Sequence, residues 1–336
     1  MRAWEVQMGS TSLDGLKLIT RPDPKPGASE VVIRVRAASL NARDQGIMKG
    51  RYGGGAITKP TIPLSDGAGE IVALGSDVTR FKTGDRVMAI FNSGWVDGPN
   101  RPENRGKALG GPLDGMLTEL ALADERDLVA VPEHLNFGEA ACLPCAGVTA
   151  WHALMEKQPL VSGESVLVIG TGGVAIFGIQ FAKMIGATAY AVSSSDDKLA
   201  RAKSIGLTAG VNYKTNPEWQ TEIVKLSGGG VTHVIEVGGQ TLPKSIAAMG
   251  LGGHIHMIGF VSGQQPTFAA PDFVRKMGTI DGLLVGNRTM FERMCAAISM
   301  TKLKPVIDRS FAFDDAKAAY EYQASPDLFG KVVITI

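Results

Sequence analysis

The feature that most restricts what this chain can fold into is the apolar run SVLVI at Ser165–Ile169, followed without interruption by Gly170-Thr171-Gly172-Gly173-Val174-Ala175. A short, wholly apolar run bounded by glycine reads as a strand buried on both faces of a parallel sheet. From about Val174 to Ile185 the pattern becomes helical. Glycine at the first two fixed positions of the turn allows a tight bend and lets a pyrophosphate approach the backbone. A small residue at the last position, here Ala175, lets the helix pack on the strand. The helix start offers unpaired N–H groups and the positive end of the helix dipole to phosphate. A glycine turn alone could simply join two elements. With a strand before it, a helix after it and a second strand at Ala189–Val192, it becomes the signature of a dinucleotide site.

The same stretch, Ser165 to Ala182, carries no charge and is long enough to raise the question of a membrane span. Gly170, Gly172, Gly173 and Gly178 interrupt it, so a buried strand, turn and helix is the better reading. Alternation continues downstream: a helix at Lys198–Ile205, then strands at His233–Val237, Ile255–Ile258 and Thr279–Val285. This is the βαβ pattern. The first third is different. Strands at Glu30–Ala38, Gly69–Gly75 and Val87–Phe91 are separated by Gly and Pro, an all-β style, and Phe137–Met155 reads as helical. With 336 residues the chain has room for about two domains of roughly 150 residues.

Charge narrows the partners. Lys and Arg number 34 against 33 Asp and Glu, so neither a nucleic-acid-binding field nor a polyacidic tail is expected. The start Met1-Arg2-Ala3-Trp4-Glu5 lacks the basic and apolar regions of a signal peptide, and a cytoplasmic protein is expected. Three cysteines, Cys142, Cys145 and Cys295, are too few for a disulfide framework. Cys142 and Cys145 form a Cys-x-x-Cys pair, but without a thioredoxin-like setting or a second pair they read as packed helix residues. The histidines, His134, His152, His233, His254 and His256, are dispersed and are assigned structural roles.

An enzyme choosing NAD usually carries Asp or Glu at the end of the second strand, to bond the ribose 2′-hydroxyl. Here the strand runs into Ser193-Ser194-Ser195-Asp196-Asp197-Lys198. Serine stands where that carboxylate would repel a 2′-phosphate. Ser193, Ser194, Lys198 and Arg201 offer donors and positive charge. NADP(H) is therefore favoured and NAD(H) remains possible, with Asp196 and Asp197 either a displaced acidic selector or caps of the next helix.

Taken together, the motifs Asn41-Ala-Arg-Asp44, Pro63-Leu-Ser-Asp-Gly67-Ala-Gly69, Gly84-Asp85-Arg86-Val87, Pro144-Cys-Ala-Gly147-Val-Thr149, the glycine turn and the closing Gly330-Lys-Val-Val give the chain its kinship. Along nearly its whole length it resembles the medium-chain dehydrogenase/reductases, in their zinc-independent, quinone oxidoreductase-like branch. The resemblance implies an α/β protein. A GroES-like β-rich catalytic domain, 1–128 and 296–336, would surround a Rossmann doubly wound parallel-sheet domain, 129–295. It also implies cofactor contacts at Thr149 and Tyr213, beside Gly170, Gly172, Gly173, Val174, Ser193, Ser194 and Lys198; Val237, Gly238, Gly259 and Phe260, at the ends of later strands, are expected to face the same crevice, and Lys331 to reach the cofactor from the returning chain. A homodimer through the edge strand near Thr279–Val285 is a further expectation.

Zinc-dependent relatives of this family use Cys, His and Cys at positions that are Asn41, Ser65 and Cys145 here. Zinc prefers three N, S or carboxylate ligands plus an open position. Even with Asp66 recruited beside Cys145 the set falls short of three, and the lobe from Gly94 to Gly111 has no cysteine for a structural zinc. No metal is expected. Without a Lewis acid, alcohol activation is the harder task. Reduction of a quinone, enone or reactive carbonyl needs mainly orientation and hydrogen-bond donors at the oxygen that gains charge. The candidate catalytic residues are Asn41, Tyr52, Ser65 and Cys145, with Asp44 read as structural. Two other readings stay open: a zinc-free alcohol dehydrogenase, and a non-catalytic NADPH-binding protein comparable to the lens crystallins.

Overall fold

The computed structural model describes residues 1–336 except Gly53, Gly54 and Arg105. The chain divides into two compact units, Met1–Val148 with Gly286–Ile336, and Thr149–Val285. These limits differ from the expected 128/129 and 295/296. The Phe137–Ala141 helix packs on the first unit's strands, and the Arg288–Thr301 helix packs against Leu128–Ala130. Both therefore belong to the first unit. Among the described residues no helix is long and apolar enough to cross a membrane.

The first unit is built on a sheet in the order Ile307–Ala312, Lys331–Thr335, Glu30–Leu40, Asp66–Leu74, Arg86–Ala89 and Leu128–Ala130, with Leu120–Asp124 also paired to Glu30–Leu40. The central Glu30–Leu40 strand alternates poorly because residues on both its faces are covered. Val31, Ile33, Val35, Ala38 and Leu40 join Leu16, Ile71, Val87, Tyr320 and Ile334 in the core. Register decides which residues meet at the strand ends. Val332 lies opposite Leu40, and Asp66 lies opposite Ser39. Three strand ends therefore come together at one place: the exit of Glu30–Leu40 and the entries of Asp66–Leu74 and Lys331–Thr335.

The second unit is a six-stranded parallel sheet in the order Ala209–Asn212, Thr188–Ser193, Ser165–Ile169, Val231–Glu236, Met249–Met257 and Thr279–Gly282. This is the doubly wound order, which reverses direction between Ser165–Ile169 and Val231–Glu236. Leu167 and Ile169 face a core with Tyr190, Val192, Val211 and Ile255. The Gly173–Ile185 helix covers the other face, and a Cβ on its Gly178 would stand 2.7 Å from Ile235 and 3.1 Å from Val168. Helix and strand approach closely at Gly178, about one turn beyond Ala175, which is itself buried. Val166–Ile169 is apolar because both faces of the strand are buried there, while the partly buried Ser165 at its start bonds to Thr232.

The expected helix over Phe137–Met155 is divided. An α-helix at Phe137–Ala141 passes into a π-helical turn at Leu143–Gly147, a short α-helix at Val148–Trp151 and a second π-helical stretch at His152–Lys157. Pro144 has no N–H to donate to an α-helical ladder, which locates the first irregularity.

Candidate functional site

In the second unit the reversal of strand order places two loops side by side at the carboxyl ends of the strands, where ligands bind in open α/β sheets. One is the Gly170–Gly172 turn. Gly170 has φ +83°, and a Cβ on either Gly170 or Gly172 would meet nothing within 4 Å. Gly172 is the N-cap of the Gly173–Ile185 helix and makes no side-chain cap bond. The first-turn N–H groups beneath it are therefore available to an anion, and nothing beyond hydrogen covers the backbone. This arrangement fits a dinucleotide pyrophosphate, with Gly170, Gly172, Gly173 and Val174 as its cradle.

The other loop, Val237–Gly239, is shaped by a residue that the sequence reading missed. Glu236 ends its strand wholly buried. Its Oε1 accepts hydrogen bonds from the N–H of Gly238 at 2.7 Å, the N–H of Gly239 at 3.0 Å and the Thr241 hydroxyl at 2.6 Å, and its Oε2 accepts one from the Ser245 hydroxyl. A carboxylate with four donors is well compensated for burial. The Gly238 carbonyl in turn accepts from the Ser262 N–H and hydroxyl, and the Val237 carbonyl from the Val261 N–H, tying this loop to Gly259–Ser262. The signal was a charged residue closing an apolar strand just before Val-Gly-Gly. Phe260 and Tyr213 are half-exposed, whereas Thr149 is buried.

The selector region is also altered. The second strand continues through Ser193, which pairs with Asn212 and is buried, so Ser194 is the first residue past the strand. Ser195, rather than either aspartate, caps the following helix through the Lys198 N–H. The Asp196 carboxylate accepts from Asn212 Nδ2 at 3.1 Å.

In the first unit the meeting of three strand ends assembles Asn41, Ser65, Asp66, Cys145 and Lys331. Lys331, expected beside the cofactor, is buried in this network. Its Nζ donates to the Leu40 carbonyl at 2.7 Å and to Asn41 Oδ1 at 2.6 Å, and lies 3.6 Å from Asp66 Oδ2. Ser65 donates to Asp66 Oδ1 at 2.7 Å, and the Cys145 N–H donates to Asp66 Oδ2 at 3.2 Å. Leu64, at φ +67°, makes the bend that brings Ser65 into place. Asn41 Nδ2 is buried and has no partner among the described residues.

Asp44 accepts from the Asn41 N–H at 2.7 Å, holding the entry of the Ala42–Met48 helix, the structural role expected of it. Burial lifts its pKa to about 6 against the opposing charge of Arg43. Tyr52 sits at the edge of this network; Gly53 and Gly54, in the loop after it, lie outside the described residues. The Tyr52 ring stacks on the Arg43 guanidinium at 5.0 Å, with Phe91 on the same cation at 4.6 Å, and it is 42% exposed. Arg43 is anchored to the Leu109 and Gly111 carbonyls.

These residues do not fit zinc. Asn41 Oδ1 is taken by an ammonium, Ser65 by a carboxylate, and burial pushes the Cys145 thiol well above its ordinary pKa, disfavouring the thiolate a metal needs. Lys331 already places a cation against Asp66. Cys142 donates to the Gly138 carbonyl at 3.3 Å as a packed residue, its thiol pushed up to about 12 by burial. His233, His254 and His256, dispersed in sequence, gather on one face of the second unit's sheet, with His233 Nδ1 3.1 Å from His256 Nε2. Among the described residues no group of three or more His, Cys, Asp or Glu could hold a metal ion.

Comparison with known proteins places this geometry in context. Residues 27–133 match the alcohol dehydrogenase GroES-like domain family, and 173–300 match the zinc-binding dehydrogenase family. The latter segment contains none of Asn41, Ser65 and Cys145. A zinc-type alcohol dehydrogenase-like protein of Schizosaccharomyces pombe is 43% identical over 320 residues, spanning 93% of this chain and 92% of its own. A 2-methylene-furan-3-one reductase of Solanum lycopersicum is 32% identical over 99% of this chain and 79% of its own. A crystal structure of a putative alcohol dehydrogenase from Sinorhizobium meliloti superposes with a TM-score of 0.91 at 37% identity, covering all of both chains.

Proposed function

Because the chain belongs to the medium-chain dehydrogenase/reductase superfamily of oxidoreductases, we propose that it is a zinc-independent, NADPH-preferring reductase of quinones, enones or reactive carbonyls. The observation that carries the reading is the uncovered Gly170–Gly172 turn, set at the reversal of strand order above an uncapped helix start. When bound, the dinucleotide supplies the hydride. The chain's own residues hold it through the turn and the Val237–Gly239 and Gly259–Phe260 loops, with Tyr213 on the adenosine side. Ser194 in place of a carboxylate, and an Asp196 engaged by Asn212, favour the 2′-phosphate of NADPH.

On the substrate side, Asn41 offers a buried amide donor without a partner among the described residues. Such a donor is suited to the oxygen that gains negative charge as a conjugated acceptor is reduced. Ser65, bonded to buried Asp66, and Tyr52, half-exposed on Arg43, are the hydroxyls through which a proton reaches that oxygen. A Cys145 thiol held protonated by burial keeps its packing role and supplies no metal ligand. The likeness to a reductase of an exocyclic enone supports this choice over alcohol oxidation.

We also read the protein as a cytoplasmic homodimer. Its cysteines are free among the described residues, and Thr279–Gly282 ends its sheet beside the exposed apolar residues Leu251, Met277 and Leu284. The test of function is a fluorescence titration with NADPH and NADH, followed by turnover of a panel of quinones, enones, aldehydes and simple alcohols in chelator. Tighter binding of NADPH and turnover of conjugated acceptors is the expected result. Failure of both nucleotides to bind, or unchanged binding by a Gly172→Val variant, would overturn it.

A further inference from the structure

We propose that Lys331 is a positioning residue for this reduction: its buried ammonium holds the Asn41 amide oxygen and so presents the amide N–H₂ to the substrate oxygen. The inference rests on the function proposed above and goes beyond it by assigning Lys331 to the substrate side of the chemistry and away from the dinucleotide.

An ammonium has three donors and no acceptor, so the Asn41 atom 2.6 Å from Nζ must be the carbonyl oxygen. Turned the other way, the amide would set N–H against N–H. The orientation is therefore fixed by chemistry, and Nδ2 is left as the buried donor without a partner among the described residues. The ammonium is itself held on two further sides, by the Leu40 carbonyl and by Asp66, and Asp66 is held by Ser65 and the Cys145 N–H. Each member is buried or nearly so, which leaves the amide little freedom to turn over. A positive charge against the amide oxygen also polarises the amide, making its N–H₂ a stronger donor. In this way a side chain built into the Lys331–Thr335 strand sets a cation behind the substrate-binding donor.

The experiment compares wild type, Lys331→Met, Asn41→Ala and the double variant, with NADPH and a conjugated enone. Lys331→Met is expected to lower kcat about tenfold or more through loss of orientation, with the Kd for NADPH unchanged. In the Asn41→Ala background the same substitution should cause little further loss, because the two residues act as one unit. Since Lys331→Met strands a buried Asp66, a second variant, Asp66→Asn with Lys331→Met, removes both charges and should fold while keeping the loss of kcat. A weakened Kd for NADPH with kcat intact would overturn the inference in favour of a cofactor contact. Losses that multiply in the double variant would overturn it too. An inert wild type would sink the parent reading, and this inference with it; an active wild type matched by an equally active Lys331→Met would sink this inference alone.

Discussion

Acidification should destabilise the second unit through His256. This residue is fully buried on the Met249–Met257 strand, between the Val231–Glu236 and Thr279–Gly282 strands, with His233, His254, His152 and Lys157 as its charged or titratable neighbours. Burial, reinforced by those neighbours, lowers its pKa from 6.5 to about 3. The hydrogen bonding points the same way. His233 Nδ1 lies 3.1 Å from His256 Nε2, with His233 Nε2 3.6 Å from Glu164. One of the two bonded nitrogens must accept from the other, so protonating both rings would set N–H against N–H. Burial lowers His233 as well, to about 4.

The unfolded chain binds a proton at each imidazole below about pH 6.5, while the folded chain does not, so stability falls as pH falls. The contribution is fully present above about 6.5 and is lost progressively down to the folded value of about 3 for His256. Each pH unit within that window costs about 1.4 kcal/mol per group. Between about pH 6.5 and pH 5 the loss is therefore about 2 kcal/mol for His256, and about as much again for His233. Urea unfolding followed by tryptophan fluorescence at about pH 7.5, 6 and 5 measures it in wild type and in His256→Met. The variant should lose less stability per pH unit, by about one proton's worth. Equal slopes would refute the reasoning, because they would mean that the buried ring titrates as it does in water.

Three other outcomes are expected. Glu236→Ala leaves the donors of Gly238, Gly239, Thr241 and Ser245 without their acceptor. At about 1–3 kcal/mol for each buried unsatisfied donor, thermal unfolding should shift down markedly and the affinity for NADPH should fall; an unchanged Tm would show that the loop holds its own shape. Ser194→Asp should move the ratio of NADPH to NADH affinities about tenfold toward NADH, a shift of about 1.4 kcal/mol, and an unmoved ratio in the same titration would remove Ser194 from the selector. Cys142 should resist iodoacetamide in the folded protein over a time that labels the urea-unfolded chain completely, since burial both covers the thiol and keeps it protonated. Rapid native labelling, read by mass spectrometry, would contradict that.

The parallel sheet was legible because its strands are apolar on both faces and its turn is punctuated by glycine. Ser165–Ile169 and the helix after it required only local pattern. The Ala209–Asn212 strand was not visible, since a short edge segment with glycine in it carries little β signal. The limits of the Thr188–Ser193 strand were misplaced by one residue at its carboxyl end, which transferred the selector position from Ser193 to Ser194. In the first unit the individual residues Asn41, Ser65 and Cys145 could be named from motifs, but the role of Lys331 could not. It depends on Val332 standing opposite Leu40, a register set by the whole sheet rather than by residues near Lys331. Glu236 was hidden for a related reason: its meaning lies in four donors that only the folded loop brings to it.

The bond between Lys331 and Asn41 spans 290 residues of chain. During synthesis the second unit is complete long before the strand that carries Lys331 leaves the ribosome, and until then Asp66 has no cation to meet. The first unit must wait, with the Ala37–Leu40 end of its central strand unpaired on one edge, for Lys331–Thr335 to add beside it. A chain cut just before Lys331 would lack both the strand that pairs with Ala37–Leu40 and the ammonium beside its buried acid. Arrival of that strand and completion of the site are, in this molecule, the same event.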